Sequence, residues 1–552
     1  MFKKNEAYKQ LDAFAVSNNL SKRQQKLWDK SKEHRFFHEV FSQIDEQAFS
    51  VLYSASMSRP NVAVNQMVGA LILKHLYNWT YQALFTNLNF NLLTRHALGI
   101  NTLEEDIFCE ASIYNFQNKL IAYYDESGVD LLEGVFCQLT KNQIDYFNVD
   151  TSVQRGDSFL VGSNIVDYTE LRLLVEVLLR FYRTLTKEEK DSFKALLEPY
   201  LAGTSSQYIY QLKREDLPAQ MNQIGKLYHQ LIIDFKEKHN EQKQYQILVR
   251  VFNDRFNYSE QTAIIEKTKP KSNAIQSPDD LEATFRFKAG STSKGYVSHI
   301  SETINSNNKV NLITDVVVKP NNVGDEKILE ERLPEMIINT PQLEEYYVDG
   351  AYASQVVDGI AKEEEILIYQ KNFKGRKSSA GIEIVKEGKG YKISCKGGQK
   401  IQASIIGNKE QNTFKGSAFF DYNKCLKCPY LKECKLTEVG GKLKPKRKLY
   451  YFGQKEIMLY ERRKRSREMP KEKRNMRANV EATVKEMKRG MKNGKVRIRQ
   501  RRRISSHMIL TAIGINFTRI WAKTIIYLES SILKILEVSQ YKIKNYQSFI
   551  SQ

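Results

Sequence analysis

Between Ala283 and Tyr352 the chain leaves the helix period of the preceding residues and runs in strand period. ATFRFKAG, GYVSHISETI and VNLITDVVVKP alternate apolar with polar residues or concentrate β-branched ones, and Gly and Asn punctuate them. Such runs satisfy their backbone groups only in a sheet, and the short connections predict a three-stranded antiparallel meander. Asp325 to Met336 returns to helix spacing, and YYVDGAY then gives a short apolar strand that ends at Asp349, with Gly350 in a tight turn. The order β-β-β-α-β puts a mixed sheet at the centre. Upstream, IDYFNVD reads as a further strand from Ile144 that ends at Asp150.

Helical spacing surrounds this sheet. VAVNQMVGALILKHLYNW, from Val62 to Trp79, recurs apolar at three and four residues after a Ser58-Arg59-Pro60 break. Residues 164–245 carry a stripe of Ile165, Tyr168, Leu171, Leu174, Leu178 and Phe181. Residues 365–435 read as short strands and turns, and 470–528 as helix. A chain of 552 residues is long enough for two to four units. The expected division is a helical N-terminal region over 1–140; the first part of an α/β core over 141–364, interrupted by the helical insertion 164–245; a β-rich, Cys-containing insertion over 365–450; and a basic segment with C-terminal helices over 451–552. The opening residues MFKKNEAYKQLDAF hold no apolar run that would read as a secretory signal. Met508 to Leu528, the most apolar stretch, is broken by Arg519 and Lys523, so a packing helix is expected there and no membrane span. A cytoplasmic protein is expected.

Charge narrows the partner. The net charge of +21 is concentrated between Lys442 and Arg503, where 25 Lys or Arg face 6 Asp or Glu, a balance of +19. The rest of the chain carries only +2. Such a segment suits a polyanion, since neutralising phosphates releases condensed counterions, and nucleic acid is the expected partner.

Asp150 and Asp349 each close a predicted strand, and strand-end carboxylates are commonly turn formers or helix caps. In RNMRANVEATVKEMKRG, Arg477, Glu481 and Lys488 fall within about 40° of one another if the segment is one helix, so one carboxylate is framed by two cations. Of the neighbouring acids, Asp145 and Glu486 would point away, and Asp157 is kept as a substitute for the first position. Cys425, Cys428 and Cys434, with Cys395 upstream, offer four thiolates for zinc or remain reduced structural thiols. Cys109 and Cys137 stand in apolar helical contexts and read as core. His299 reads as a surface or satisfied residue on a half-exposed strand, and the Gly-rich stretches lack a phosphate-binding context, so no nucleotide cofactor is expected.

These residues resemble the DDE transposases of bacterial insertion sequences, in the group whose last acidic residue lies in a Tyr-x2-Arg-x3-Glu-x6-Lys motif. Arg477, Glu481 and Lys488 match its spacing, with Arg474 at the Tyr position. NVDTSV around Asp150 and VDGAY around Asp349 are similar to the family's first and second Asp segments. SPDDLEATFRFKAGSTSKGYVSHIS, KPNNVGDEKIL and SRPNVAVNQMVGALILKHLYNWTYQAL are similar to its second-strand region, helix entry and N-terminal helical domain.

The resemblance implies an α/β, ribonuclease-H-like mixed sheet with flanking helices, a helical N-terminal domain that binds DNA, and a mostly β insertion before the last catalytic Glu. It implies a transposase that binds the terminal inverted repeats of its element and performs metal-dependent strand cleavage and transfer. Asp150, Asp349 and Glu481 would hold Mg²⁺ or Mn²⁺, since hard oxygen donors suit those ions. Arg477, Lys488, Arg474, Lys485, Arg489, Arg501, Arg502 and Arg503 would bind the double-stranded DNA of element ends and target. Two DNA ends imply a homodimer in the assembled complex. A nuclease of the same fold and a catalytically inactive DNA-binding descendant are the alternatives.

Overall fold

The computed structural model of the chain describes residues 1–524, apart from 11–14, 55, 57–58, 260–263, 289, 372–380, 389, 407–414, 435, 442–443 and 478. Residues 525–552 of the expected C-terminal segment, including the end of the Met508–Leu528 stretch, lie outside the described residues, as do Ser58 of the predicted helix start and Lys442 of the basic segment.

The N-terminal region is helical, with α1 (Val64–Leu76), α2 (Glu110–Ser127) and α3 (Leu131–Phe147) its longest elements. α1 is apolar nearly all round, and a helix of that kind has to be enclosed. Val64, Val68, Ala70, Leu71 and Ile72 are fully buried. α3 overturns one expectation. Ile144 to Phe147 is the last turn of this helix and not a strand, and Asn148 closes it in the left-handed conformation with φ 48°. Asp130 caps the helix start, and Leu132, Val135, Phe136, Leu139 and Gln143 form its buried stripe. Three- and four-residue periodicity sustained from Leu131 outweighs the aromatic content of the last four residues.

The strand begins later. β1 (Val153–Gly162) joins β2 (Thr284–Lys288), β3 (Ser291–Thr303), β4 (Ile313–Pro320), β5 (Glu345–Asp349) and β6 (Leu367–Lys371) in a six-stranded sheet. β3 runs antiparallel to β1 along one edge, while β2 and β4 share its other edge, both antiparallel. β5 is parallel to β1, and β6 is parallel to β5. The sheet is therefore mixed, and the expected meander is present as β2, β3 and β4.

Both faces are covered. Phe159, Val161, Tyr296, Ile300 and Val316 on one face belong to a core that also takes in α1, α3 and a helix over residues 501–524. The N-terminal helices thus share their core with the sheet. On the other face α4 (Asp325–Asn339) and α5 (Gln355–Glu363) pack on Tyr346, Val348 and Ile368. His299 is fully buried on this side, its Nδ1 2.8 Å from the Tyr352 hydroxyl. Burial pushes its imidazole down to about 4, so it remains neutral in the core.

Two insertions leave the sheet. After β1, helices Glu170–Thr184, Lys187–Leu201, Ser205–Gln211, Leu217–His239 and Lys243–Asn253 enclose a core of their own, and the hairpin Phe256–Ser259 with Ile264–Lys267 follows. After β6 come β7 (Glu383–Glu387), β8 (Gly390–Ser394) and β9 (Lys400–Gln402) in one small sheet, and β10 (Ser404–Ile406), β11 (Lys415–Asp421), β12 (Thr437–Gly441) and β13 (Lys444–Phe452) in another. Helix α6 (Gln454–Glu468) returns the chain to the main sheet. There Arg462 pairs with Asp358 at 2.5 Å, and Arg465 donates to the Ile368 carbonyl at 3.1 Å.

The region expected to be helical from 470 onward holds more than one element. A 3-10 turn over Lys471–Asn475 precedes α7 (Val480–Met487), and the next helix, α8, covers residues 501–524. Lys488 is the C-cap of α7, and Gly490 at φ 88° and Asn493 at φ 52° turn the chain away. α8 buries Ile504, Met508, Ile509, Ile513, Phe517 and Ile520. Among the described residues no helix is long and apolar enough to cross a membrane.

Phe517 of α8 is fully buried, edge-on to Phe36 at 5.3 Å between ring centroids. Phe517→Ala is expected to cost about 3–5 kcal/mol by leaving a cavity where the N-terminal helices meet the sheet's own helix. A denaturant titration of the purified variant measures it.

Candidate active site

Strand parity decides which carboxylates meet. The parallel register pairs Val153 with Glu345 and Arg155 with Tyr347, so two residues further on Asp157 and Asp349 stand side by side on one face. The antiparallel register pairs Asp157 with Ile300 and Arg155 with Glu302, which puts Glu302 on that face too. α7 lies over it, and Asp157, Phe159, Arg286, Val297, Glu481 and Lys488 line one cavity of about 220 Å³. Arg477, just before α7, places Nη2 3.1 Å from Asp157 Oδ2 and 3.8 Å from Asp349 Oδ2.

Asp150 is elsewhere. It precedes β1, at the end of the sheet where β1 and β5 begin, and seven residues of extended chain separate it from Asp157, on the order of 20 Å. Its Oδ1 accepts from the Ser152 amide at 2.8 Å and its Oδ2 from Asn305 at 2.5 Å. Asn308 bonds both its backbone amide and its carbonyl. These bonds tie the entry of β1 to the turn between β3 and β4.

The desolvated position of Asp157 shows in its acidity. Burial raises its pKa, Arg477 opposes the shift and Asp349 adds to it. Asp349 also accepts from the Gly350 amide at 2.6 Å, so its carboxylate caps the turn that ends β5. Glu481, in the first turn of α7, is exposed on the cavity. Lys488 reaches the same cavity from the C-cap, its Nζ 5.4 Å from the Phe159 ring centre. Arg477, Glu481 and Lys488 therefore converge although only Glu481 lies within the helix.

The remaining basic candidates separate. Arg474 is exposed, and together with Arg477 and burial it lowers the pKa of Lys371. Lys371 is the register partner of Asp349 on β6, so three cations gather at the mouth of the site. Lys485 is exposed, and the exposed Arg489 lies near Lys32 of the N-terminal region. Arg501, Arg502 and Arg503 are engaged internally, with Glu282 at 2.9 Å, with the Tyr124 ring at 3.2 Å and with Asn118 at 2.7 Å. They fasten α8 to α2 and to the approach of β2.

Sequence reasoning missed Arg286, Lys371 and the support beneath α7. That support is Glu302, which is 1% exposed. Its Oε1 accepts from Arg155 Nε at 2.7 Å, and its Oε2 accepts from the Thr483 hydroxyl of α7 at 2.7 Å and from Arg519 of α8 at 2.9 Å. Arg155 donates onward to the Met476 carbonyl at 2.8 Å, next to Arg477, and Arg519 to Thr483 at 2.6 Å. A Glu within the otherwise uncharged run GYVSHISETI was the available signal, because a charge on a buried strand has to be paired.

Among the described residues no group of three or more His, Cys, Asp or Glu side chains is arranged to hold a metal ion. Two family models match the chain. One, a transposase DDE domain, covers residues 394–521 and so contains Glu481, α7 and the four cysteines of the insertion. The other, a transposase domain, covers residues 25–119 of the N-terminal helical region. The two matches support a DDE transposase of an insertion sequence. Comparison with curated proteins and with solved structures gave no match. A transposase DDE domain implies an enzyme family that cuts and transfers DNA.

Glu302→Ala would leave Arg155 without its carboxylate partner, while Arg519 keeps Glu486, and the expected loss is about 3–5 kcal/mol of stability. Thermal unfolding of the variant, compared with Glu302→Gln, which keeps two acceptor or donor positions, measures how much of that loss belongs to the charge.

Proposed function

We propose that this transposase binds the inverted-repeat ends of its element and carries out divalent-metal-dependent DNA cleavage and strand transfer at Asp157, Asp349 and Glu481. The observation that supports this reading is the pair of carboxylates on adjacent parallel strands, bridged by Arg477, with Glu481 lining one cavity with the first of them, Asp157. On this reading the β3, β1, β5 arrangement with β4 and β6 outside it is a ribonuclease-H-like core, and Asp157 takes the first acidic position in place of Asp150.

The residues present suit Mg²⁺ or Mn²⁺. The donors are hard carboxylate oxygens, and a cationic group, the Arg477 guanidinium, already sits between two of them. The buried Nε of that guanidinium has no hydrogen-bond partner among the described residues, an orphaned polar atom at the site. Bound there, the metal supplies Lewis-acid activation for an in-line displacement at phosphorus. The chain's own residues position and neutralise. Arg477, Arg474 and Lys371 receive the phosphates on the β5 and β6 side, Lys488 and Arg286 those on the opposite side, and α7 excludes water from one wall. Lys485 and Arg489 extend the basic surface toward the N-terminal helices, which read the double-stranded element end. Arg501, Arg502 and Arg503 act by holding α8 and the N-terminal helices together. Two ends imply a homodimer on DNA, in the bacterial cytoplasm at the nucleoid.

The deciding experiment is Mg²⁺-dependent cleavage and joining of DNA carrying the repeats that flank the gene. Asp157→Asn, Asp349→Asn and Glu481→Gln are each expected to lower joining by about three orders of magnitude or more with DNA binding kept, while Asp150→Asn stays within about tenfold of wild type. Loss with Asp150→Asn and survival of Asp157→Asn would overturn the assignment. Cleavage without joining in the wild type would favour a nuclease, and binding without cleavage an inactive descendant.

Stability should move the other way. The folded pKa of Asp157 lies above its unfolded value, so the fold disfavours the ionised form, and the penalty sets in as pH rises through the unfolded pKa. Asp157→Asn removes it. The metal-free variant is expected to melt no lower than wild type at pH 7, and the difference should shrink toward pH 4 in a calorimetric pH series.

A further inference from the structure

Outside the carboxylate site, the insertion between β6 and α6 brings four sulfurs to one place. Cys395, Cys425, Cys428 and Cys434 all line a single cavity of about 150 Å³, and all four are free thiols. Cys395 stands in the turn between β8 and β9, and the other three lie between β11 and β12, Cys425 in the short helix Tyr422–Leu426 and Cys428 and Cys434 after it. We infer that these four cysteines bind one structural Zn²⁺ that fixes the insertion, independently of the strand-transfer reading.

Three observations carry it. The turn after Cys395 is pressed onto the opposite cysteines: a Cβ on Gly397 would stand 2.7 Å from Cys428 Sγ and 3.7 Å from Cys395 Sγ. Both sulfurs thus lie within 4 Å of one point, and only a residue without a side chain fits between them. The turn is closed by hydrogen bonds from the Cys395 amide to the Gln399 carbonyl at 3.0 Å and from the Gly398 amide to the Cys395 carbonyl at 2.9 Å.

The second observation is an amide donor aimed at sulfur. The Asp421 amide donates to Gln399 Oε1 at 3.0 Å, which fixes the side-chain amide so that Nε2 faces the Asp421 carbonyl and Cys425 Sγ, each at 3.3 Å. A donor held in this orientation favours a thiolate over a thiol, and hydrogen bonds of this kind orient metal ligands. The third is charge. Lys396, Lys424 and Lys427 line the same cavity together with Glu433, which pairs with Lys396 at 3.5 Å, and the two remaining lysines would offset the net charge of −2 that four thiolates leave around one Zn²⁺.

The insertion also needs such a staple. Its two small sheets share a thin core, chiefly Ile382, Ile384, Ile393, Ala418, Phe420 and Phe452, that also takes in Cys425. A module of this size buries too little apolar surface to be stable on that alone. As they stand the side chains are not gathered closely enough to share an ion. Binding draws the sulfurs inward by side-chain rotation, and Zn²⁺ displaces the four thiol protons to solvent with no change of oxidation state.

The test uses the full chain expressed with added zinc and purified without chelator. Elemental analysis is expected to find about one zinc per chain, and replacement by Co²⁺ to give the sulfur charge-transfer and d–d absorption of a tetrahedral four-thiolate site. Gln399→Ala keeps all four ligands and is expected to weaken zinc about 10- to 100-fold in a competition assay, and Cys428→Ser to weaken it further. A wild-type chain that carries no zinc and gives no cobalt–sulfur absorption would overturn the inference. So would iron in place of zinc, or a cobalt spectrum unchanged in Cys428→Ser. Neither readout depends on DNA cleavage.

Discussion

The active-site face hangs on one buried carboxylate. Glu302 points out of the sheet beneath α7 and accepts hydrogen bonds from three other parts of the chain: Arg155 on β1, Thr483 on α7 and Arg519 on α8. A charge so far removed from water is tolerable only when each of its oxygens is occupied, so the three partners are held as firmly as Glu302 is. Arg155 passes the constraint to the Met476 carbonyl and hence to the seat of Arg477. The helix that presents Glu481 is two turns long and could not hold its own position. Its geometry is borrowed from the sheet.

That anchoring explains how widely separated segments form one site. Asp157 and Asp349 are fixed by register on adjacent strands, a rigid pairing, whereas Glu481 and Lys488 arrive on a short element from the far side of a long insertion. α6 is the return path, clamped to α5 and β6 by Arg462 and Arg465. Arg477, seated between the two aspartates, keeps them from repelling each other where no other cation lies between them.

How much of this was legible follows from which signals are local. Asp349 was readable because VDG ends an apolar strand within five residues, and Glu481 because its cationic neighbours are spaced around it in one short segment. The strand meander was readable from alternation alone. The strand expected to end at Asp150 is absent because IDYF, for all its strand-like composition, belongs to the last turn of a helix that starts at Leu131, and the end of that helix moves the start of β1 to Val153. Once β1 begins there, parity puts Asp157, not its predecessors, beside Asp349. Arg501, Arg502 and Arg503 looked like a DNA-binding run, yet each meets an internal partner, which charge counting cannot reveal.

The amino-acid sequence by itself determined the mixed α/β class, the helical flanks, the two insertions, the concentration of positive charge and two of the three candidate carboxylates, because each is written in periodicity or composition over a short window. Tertiary structure alone decided that Asp157 faces Asp349, that Glu302 ties α7 and α8 to the sheet, and that four cysteines from two segments share one cavity. Those facts depend on strand register and on contacts between residues scores to hundreds of positions apart. No local window of the chain holds both partners.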